Sequence, residues 1–185
     1  MNNSMQQVDS TKKAAGHEAA STEKYLTFFI DGQLYAIPSD EVIEIMCMQT
    51  ITHIPNLPPF VKGVINLRGK IVPIVDMRRK FQKAAVEYTS RTNIIVVEKD
   101  DFSAGIIVDT VNDVSDIAEN QIQKSQNYTK NSDDGNYVWG LISLENNTVM
   151  CLDLIKILHD PKAELNLQEM QKTAAIRRKS IRAVN

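Results

Sequence analysis

Apolar residues along this chain come in short runs separated by polar breaks, and few of them recur at helical spacing. Tyr25–Ile30, Leu34–Ile37, Val61–Leu67, Ile71–Val75, Thr92–Val97, Ser103–Val108, Tyr137–Leu144 and Thr148–Leu152 are such runs. Runs of this length, rich in β-branched and aromatic residues and bounded by turn formers, predict strands. Asp31-Gly32, Arg68-Gly69-Lys70, Lys99-Asp100-Asp101 and Glu145-Asn146-Asn147 interrupt neighbouring runs and predict hairpins. In the second of these, Gly69 supplies the positive φ that a tight turn needs, which puts Arg68 at the tip. Val111–Ile117 is a further short strand or turn. Pro73 lacks a ladder donor, so its strand is expected at an edge, a bulge or a barrel corner. Asp76 and Asp153 are placed to cap short helical turns over Met77–Phe81 and Leu154–His159. Pro38-Ser39-Asp40-Glu41 reads as a helix start. The following Glu41–Met48 then sets Val42, Ile45 and Met46 on one side and Glu44 on another. Thr50–Pro59 is a loop or short strand. Residues 84–91 and 119–136 are polar connections, the latter with a loop signal at Asn131–Asn136.

The pattern repeats. Gly63-Val64-Ile65-Asn66-Leu67 matches Gly140-Leu141-Ile142-Ser143-Leu144. At the same shift of 77, Val72, Val75, Asp76, Met77 and Phe81 meet Val149, Leu152, Asp153, Leu154 and Leu158. Upstream, Val42-Ile43-Glu44-Ile45 resembles Val111-Asn112-Asp113-Val114. Each half reads as strand, turn, strand, short acidic element, hairpin and capped turn. The inference is two similar all-β units of about five strands each, closed or half-closed into barrels. Closure also removes exposed edges. Residues 1–22 are polar and unpatterned, which predicts a disordered tail. Residues 23–160 form the β domain. Residues 161–185 are rich in helix formers and end in Arg177-Arg178-Lys179 and Arg182, predicting a basic helical extension.

Composition narrows the function. The chain has 185 residues and a formal charge of -2 with mixed signs, so the whole chain shows no electrostatic footprint for nucleic acid. The two cysteines, Cys47 and Cys151, lie in apolar runs and are expected as buried free thiols. The N-terminal stretch has no apolar leader pattern, and no apolar run reaches the ~20 residues of a membrane helix. The expectation is a soluble protein of the reducing cytoplasm.

An enzyme would show its tools. His17, His53 and His159 are scattered without ligand spacing, so neither zinc nor another cofactor is indicated. No phosphate-cradling glycine loop and no nucleophile elbow is present. Cys151 sits mid-strand among apolar neighbours, which raises a thiol pKa. What remains is surface. Val42, Glu44 and Arg68 are an apolar group with opposed charges, the kind of set a β module offers to another protein. Glu44 and Arg68 are able to pair, and such a pair fixes Arg68 for a partner.

Leu34-Tyr35-Ala36-Ile37-Pro38, Val42-Ile43-Glu44-Ile45 and the run from Pro59 to Arg78, with its Asn66-Leu67-Arg68-Gly69-Lys70-Ile71-Val72-Pro73 core, closely resemble the CheW-type chemotaxis coupling proteins. Thr92–Val97, Gly105–Val111 and Gly140 through Asp153 continue the likeness in order, so it spans roughly residues 23–158. The resemblance implies two packed five-stranded SH3-like barrels and a non-catalytic adaptor. It implies as partners the cytoplasmic tip of methyl-accepting chemotaxis receptors and the regulatory domain of the CheA histidine kinase, with other CheW-like modules alongside in rings. By motif, Arg68 and Glu44 belong to the receptor-facing surface, with Val42, Gly63 and Val111 at positions lining it. No motif identifies kinase-facing residues. Two other readings compete: a detached regulatory module of a kinase, or a CheW-like scaffold for a non-flagellar pathway. A barrel that binds a small ligand between its halves is a third.

Overall fold

The protein is described by a computed structural model that covers residues 21–100, 102–124, 137–144 and 147–158. In chain order the strands are β1 (Thr22–Ile30), β2 (Gln33–Pro38), β3 (Val42–Cys47), β4 (Val61–Leu67) and β5 (Lys70–Asp76). The helical turn α1 (Met77–Lys80) follows, then β6 (Asn93–Lys99), β7 (Phe102–Val108), β8 (Thr110–Ala118) and β9 (Ile122–Lys124). The hairpin β10 (Val138–Leu144) and β11 (Asn147–Leu152) leads into α2 (Leu154–Leu158). These strands make a six-stranded sheet, β8-β1-β2-β11-β10-β9, and a five-stranded sheet, β3-β6-β7-β5-β4.

These are the two barrel-like units expected, but neither sequence half builds its own. β1 and β2 leave the first half to join β8–β11, and β6 and β7 join β3–β5. The exchange is made by two parallel pairings, β2 with β11 and β5 with β7, among otherwise antiparallel ladders. The reason is visible in burial. β6 and β7 are apolar on both faces. Ile94, Val96 and Ile107 fill the interior of their own barrel, while Ile95, Val97, Ala104, Ile106 and Val108 face a central core shared with the other sheet. β1 and β2 do the same with Tyr25, Leu34 and Ala36 on one side and Leu26, Phe28, Ile30, Tyr35 and Ile37 on the other. A strand buried on both faces reads as a continuous apolar run and belongs in the middle of a layered structure.

The repeat extends to irregularities. The ladders of β3 and β8 shift register at Ile43 and at Asn112, which are repeat partners. Those of β4 and β10 shift at Lys62 and at Trp139, again repeat partners. Thr27 occupies the bulge at Asn112: its hydroxyl donates to the Asp113 carbonyl at 2.8 Å and accepts from Asn112 Nδ2 at 3.0 Å. That satisfies a side chain only 1% exposed.

Several expectations need correction. Glu41–Met48 is not helical. A single 3₁₀ turn at Ser39–Glu41 leads straight into β3, because β-branched Val42, Ile43 and Ile45 favour an extended backbone and the segment finds β6 as a neighbour. Cys47 is exposed at the end of that edge strand, and Cys151 alone is buried; both are free thiols. Thr22, counted with the tail, is already paired with Ala118. Ile122–Lys124, placed in a polar connection, is a strand on β10. Of the edge, bulge or barrel corner expected for Pro73, only the edge is excluded: β5 lies inside its sheet, and its pairing with β7 begins one residue later, at Ile74. The caps hold, with Asp76 Oδ1 accepting from the Arg79 N–H at 3.2 Å and Asp153 Oδ1 from the Lys156 N–H at 3.2 Å. The Asn131–Asn136 loop, the Glu145-Asn146 turn residues, most of the N-terminal tail and the basic extension lie outside the described residues.

Candidate functional site

The site is built on the β4–β5 hairpin. Leu67 pairs with Lys70, which leaves Arg68 and Gly69 as a two-residue turn. Both residues have positive φ, +48° and +88°, the backbone of a primed turn that matches the twist of its strands. The Asn66 side chain accepts from the Gly69 N–H at 2.9 Å and locks the turn. An arginine in this region is strained by its Cβ, a cost of about 1–2 kcal/mol. The side chain is held in place all the same: Arg68 Nη2 donates to Glu44 Oε2 at 2.8 Å.

Glu44 stands on β3, which pairs with β6 and with no second strand among the described residues. β3 and β4 are the two ends of their sheet, so the Arg68–Glu44 link joins the hairpin tip to the opposite edge strand. The register shift at Ile43 sets the facing of Glu44. The Arg68 side chain remains 79% exposed and that of Glu44 30%. At such exposure the pair contributes about 0–1 kcal/mol to stability. Its effect is to hold a guanidinium in one direction, with several donors still open to solvent.

The other predicted residues are placed differently. Val42 on β3 and Val111 on β8 are both half-buried and both pack against the central core between the sheets. They belong to different sheets, and each packs on the core that the two sheets share. Gly63 is buried and offers no side chain to a partner. Its φ is +136°, and a Cβ there would lie 2.1 Å from the Thr52 carbonyl oxygen. That close approach is a ladder: the Thr52 N–H donates to the Val64 carbonyl and the Val64 N–H to the Thr52 carbonyl, at 2.8 and 2.9 Å. Gly63 thus lets the loop strap lie against β4.

Sequence reasoning did not read the outward face of β3. Ile43 and Ile45 are 53% and 42% exposed, on the face of β3 away from Glu44. A helical period sets Ile45 on one side with Val42 and Met46; the strand period of two separates it from Met46 and turns it out.

Elsewhere the chemistry is quiet. Cys151 is fully buried, and burial pushes its thiol up to about 12, so it is held protonated. The Tyr25 and Tyr88 hydroxyls are also raised, chiefly by burial and then by the neighbouring Glu23 and Asp76. Among the described residues no group of His, Cys, Asp and Glu is arranged to hold a metal, and no helix is long and apolar enough to cross a membrane.

Residues 24–162 match the CheW-like domain family. The chain belongs to the CheW-like family. The chemotaxis protein CheW of Bacillus subtilis is 36% identical over 108 residues, covering 58% of this chain and 69% of that protein. The chemotaxis protein CheW of Klebsiella aerogenes is 34% identical over 143 residues, covering 77% and 86%. The crystal structure of the scaffolding protein TtCheW from Thermoanaerobacter tengcongensis aligns with a TM-score of 0.71 at 30% identity, covering 78% of this chain and 98% of that one. The CheW-like match runs from β1 through α2, so it includes both barrels and every residue of the site above.

Proposed function

We propose that this CheW-like chain is a non-catalytic chemotaxis adaptor that joins the cytoplasmic tips of methyl-accepting receptors to the regulatory domain of the CheA histidine kinase. It works in the cytoplasm, at receptor arrays beneath the inner membrane, alongside other CheW-like modules in rings. Arg68 and Glu44 are the receptor-facing contacts. Val42 and Val111 line the same surface, and Gly63 maintains it. The observation that carries this reading is the state of Arg68: an arginine kept in a strained turn, tethered by a carboxylate and still largely exposed. Strain held at a surface tip has no stability rationale and accords with recognition. The adaptor passes a signal only through contacts that differ between the kinase-on and kinase-off states.

The test is Arg68→Glu, which places a second carboxylate beside Glu44 and leaves the core untouched. Co-sedimentation with receptor tip fragments is expected to weaken about tenfold or more. Strand circular dichroism should be unchanged. Wild-type receptor binding by this variant would count against the assignment.

A further inference from the structure

The chain crosses between the two barrels where β2 leads to β3 and again where β7 leads to β8, and at each crossing an acidic side chain is held by a base. At the first, Glu41 accepts from Lys99. At the second, Asp109 accepts a two-pronged contact from Arg78, Nε to Oδ1 at 2.7 Å and Nη2 to Oδ2 at 2.8 Å.

The second crossing does more than pin its own strand. The remaining nitrogen of Arg78, Nη1, donates to Asp31 Oδ1 at 3.0 Å and to the Ala84 carbonyl at 3.4 Å. Asp31 belongs to the β1–β2 turn of the six-stranded sheet. Its own N–H donates to Asp109 Oδ2 at 2.7 Å, and the Asp109 N–H donates to the Phe29 carbonyl at 3.0 Å. Lys83 Nζ adds a weaker approach to Asp31 at 3.9 Å. Arg78 itself rides on α1, which continues β5 of the five-stranded sheet. The guanidinium therefore ties together a hairpin of one barrel, the helical turn of the other and the strand that crosses between them. Its side chain is only 17% exposed. The Asp109 hydrogen bonds hold its proton above the already high ordinary pKa.

The same helical turn drives apolar groups across the divide. Met77 is fully buried in the central core. The Phe81 ring, one residue past α1, lies 5.4 Å from Tyr35 of β2 and 5.8 Å from Tyr137, ahead of β10. Apolar contact holds two faces together without setting their angle, because it is non-directional. A planar fork on a carboxylate is directional. We propose that Arg78 is a positioning residue whose fork on Asp109 and Asp31 sets the angle between the two barrels. This rests on the adaptor reading in one respect: Val42 and Val111 lie on different barrels, so a fixed angle keeps one receptor-facing surface intact.

The native Cys47 thiol is exposed on the five-stranded sheet and Cys151 is buried, so one spin label attaches at Cys47 without other change. A second goes on exposed β8 of the other sheet through Asp116→Cys. Inter-label distances are measured by pulsed electron paramagnetic resonance on the full chain, free of receptor and kinase. Wild type is expected to give one narrow distribution. Arg78→Gln is expected to shift and broaden it while strand circular dichroism stays native. Arg78→Lys, which keeps the charge and loses the fork, is expected to broaden it as well, with a smaller loss of melting temperature. If Arg78→Gln does not fold, Arg78→Lys and Asp109→Asn carry the test. A wild-type distribution in the folded variants overturns the proposal, because a merely stabilising contact lowers the melting temperature without moving the labels. A wild-type distribution in Arg78→Lys alone overturns the role of the fork. No receptor takes part, so failure leaves the adaptor reading standing, and failed receptor binding by Arg68→Glu leaves this measurement unaffected.

Discussion

Arg68 occupies a position that its own backbone disfavours. Both residues of the turn have positive φ, for which Asn-Gly is the preferred pair. Arg68→Asn should therefore stabilise the fold by up to about 1 kcal/mol, since asparagine tolerates the left-handed region and the lost surface ion pair is worth little. The same change should weaken receptor binding. Urea unfolding together with receptor co-sedimentation checks both halves. Stabilisation accompanied by loss of function is the pattern expected when a residue is kept for binding rather than for folding. Equal losses of both would assign Arg68 a structural role. The Arg68 tip was legible in sequence because a glycine between β-branched runs marks a turn whatever surrounds it. The state of the tip was not, since the positive φ at Arg68 follows from the Leu67–Lys70 register and the Glu44 contact comes from a side chain 24 residues away.

At the scale of elements, the recurring device is a bulged strand with a glycine beside it and a strap laid on that glycine. Gly63 admits Thr52, and Gly140 admits β9, where an added Cβ would meet Ile122 at 2.8 Å. The two cases differ in kind. At Gly140 the obstacle is a side-chain methyl of Ile122, not backbone, and φ there is not in the left-handed region. At Gly63 it is a backbone carbonyl at 2.1 Å, compounded by a φ that L residues rarely adopt. Gly63→Ala is expected to cost about 2–4 kcal/mol, a large effect for one methyl group. Gly140→Ala should cost clearly less. Thermal unfolding of the two variants ranks them. Any receptor-binding defect of Gly63→Ala should then track loss of amide protection at Thr52 and Val64, not loss of a contact. β3 shows the limit of sequence reading at this scale. Val42, Ile43, Ile45 and Met46 fit either period over so short a span, and the choice was made by β6 lying alongside.

For the molecule as a whole, most of the ionisable groups in perturbed surroundings titrate at the alkaline end; Glu119, lowered by its hydrogen bond from Lys124, is the exception. Cys151, Tyr25, Tyr35, Tyr88 and Lys99 all have raised pKa values in the folded state. The folded state thus keeps protons that the unfolded chain gives up. Stability is fully present below the unfolded values and is lost as pH rises towards the folded ones. For Cys151 the window opens at its ordinary 9.0 and closes at about 12. Within that window it subtracts up to about 1.4 kcal/mol per pH unit. Urea unfolding from pH 7 to 11 should show a flat region followed by a steep decline. Cys151→Ala should be less stable at pH 7, since it removes buried volume, yet show a shallower alkaline slope. A slope identical to wild type would show that the Cys151 thiol has the same pKa folded and unfolded.

What the sequence determined by itself was local or periodic: the strand runs, the hairpin turns, the caps at Asp76 and Asp153, and a weak duplication that the structure extends to the bulges at Ile43 and Asn112. These follow from φ preferences, side-chain alternation and spacing, which act within a few residues. Only the tertiary structure decided that the halves exchange strands, that Cys47 faces outward, that Gly63 is buried under a strap, and that Arg78 spans the barrels. Each depends on which apolar face finds another. Two faces of equal apolar character look alike in sequence, and the difference arises only when the sheets pack and, among the described residues, one face of β3 is left exposed.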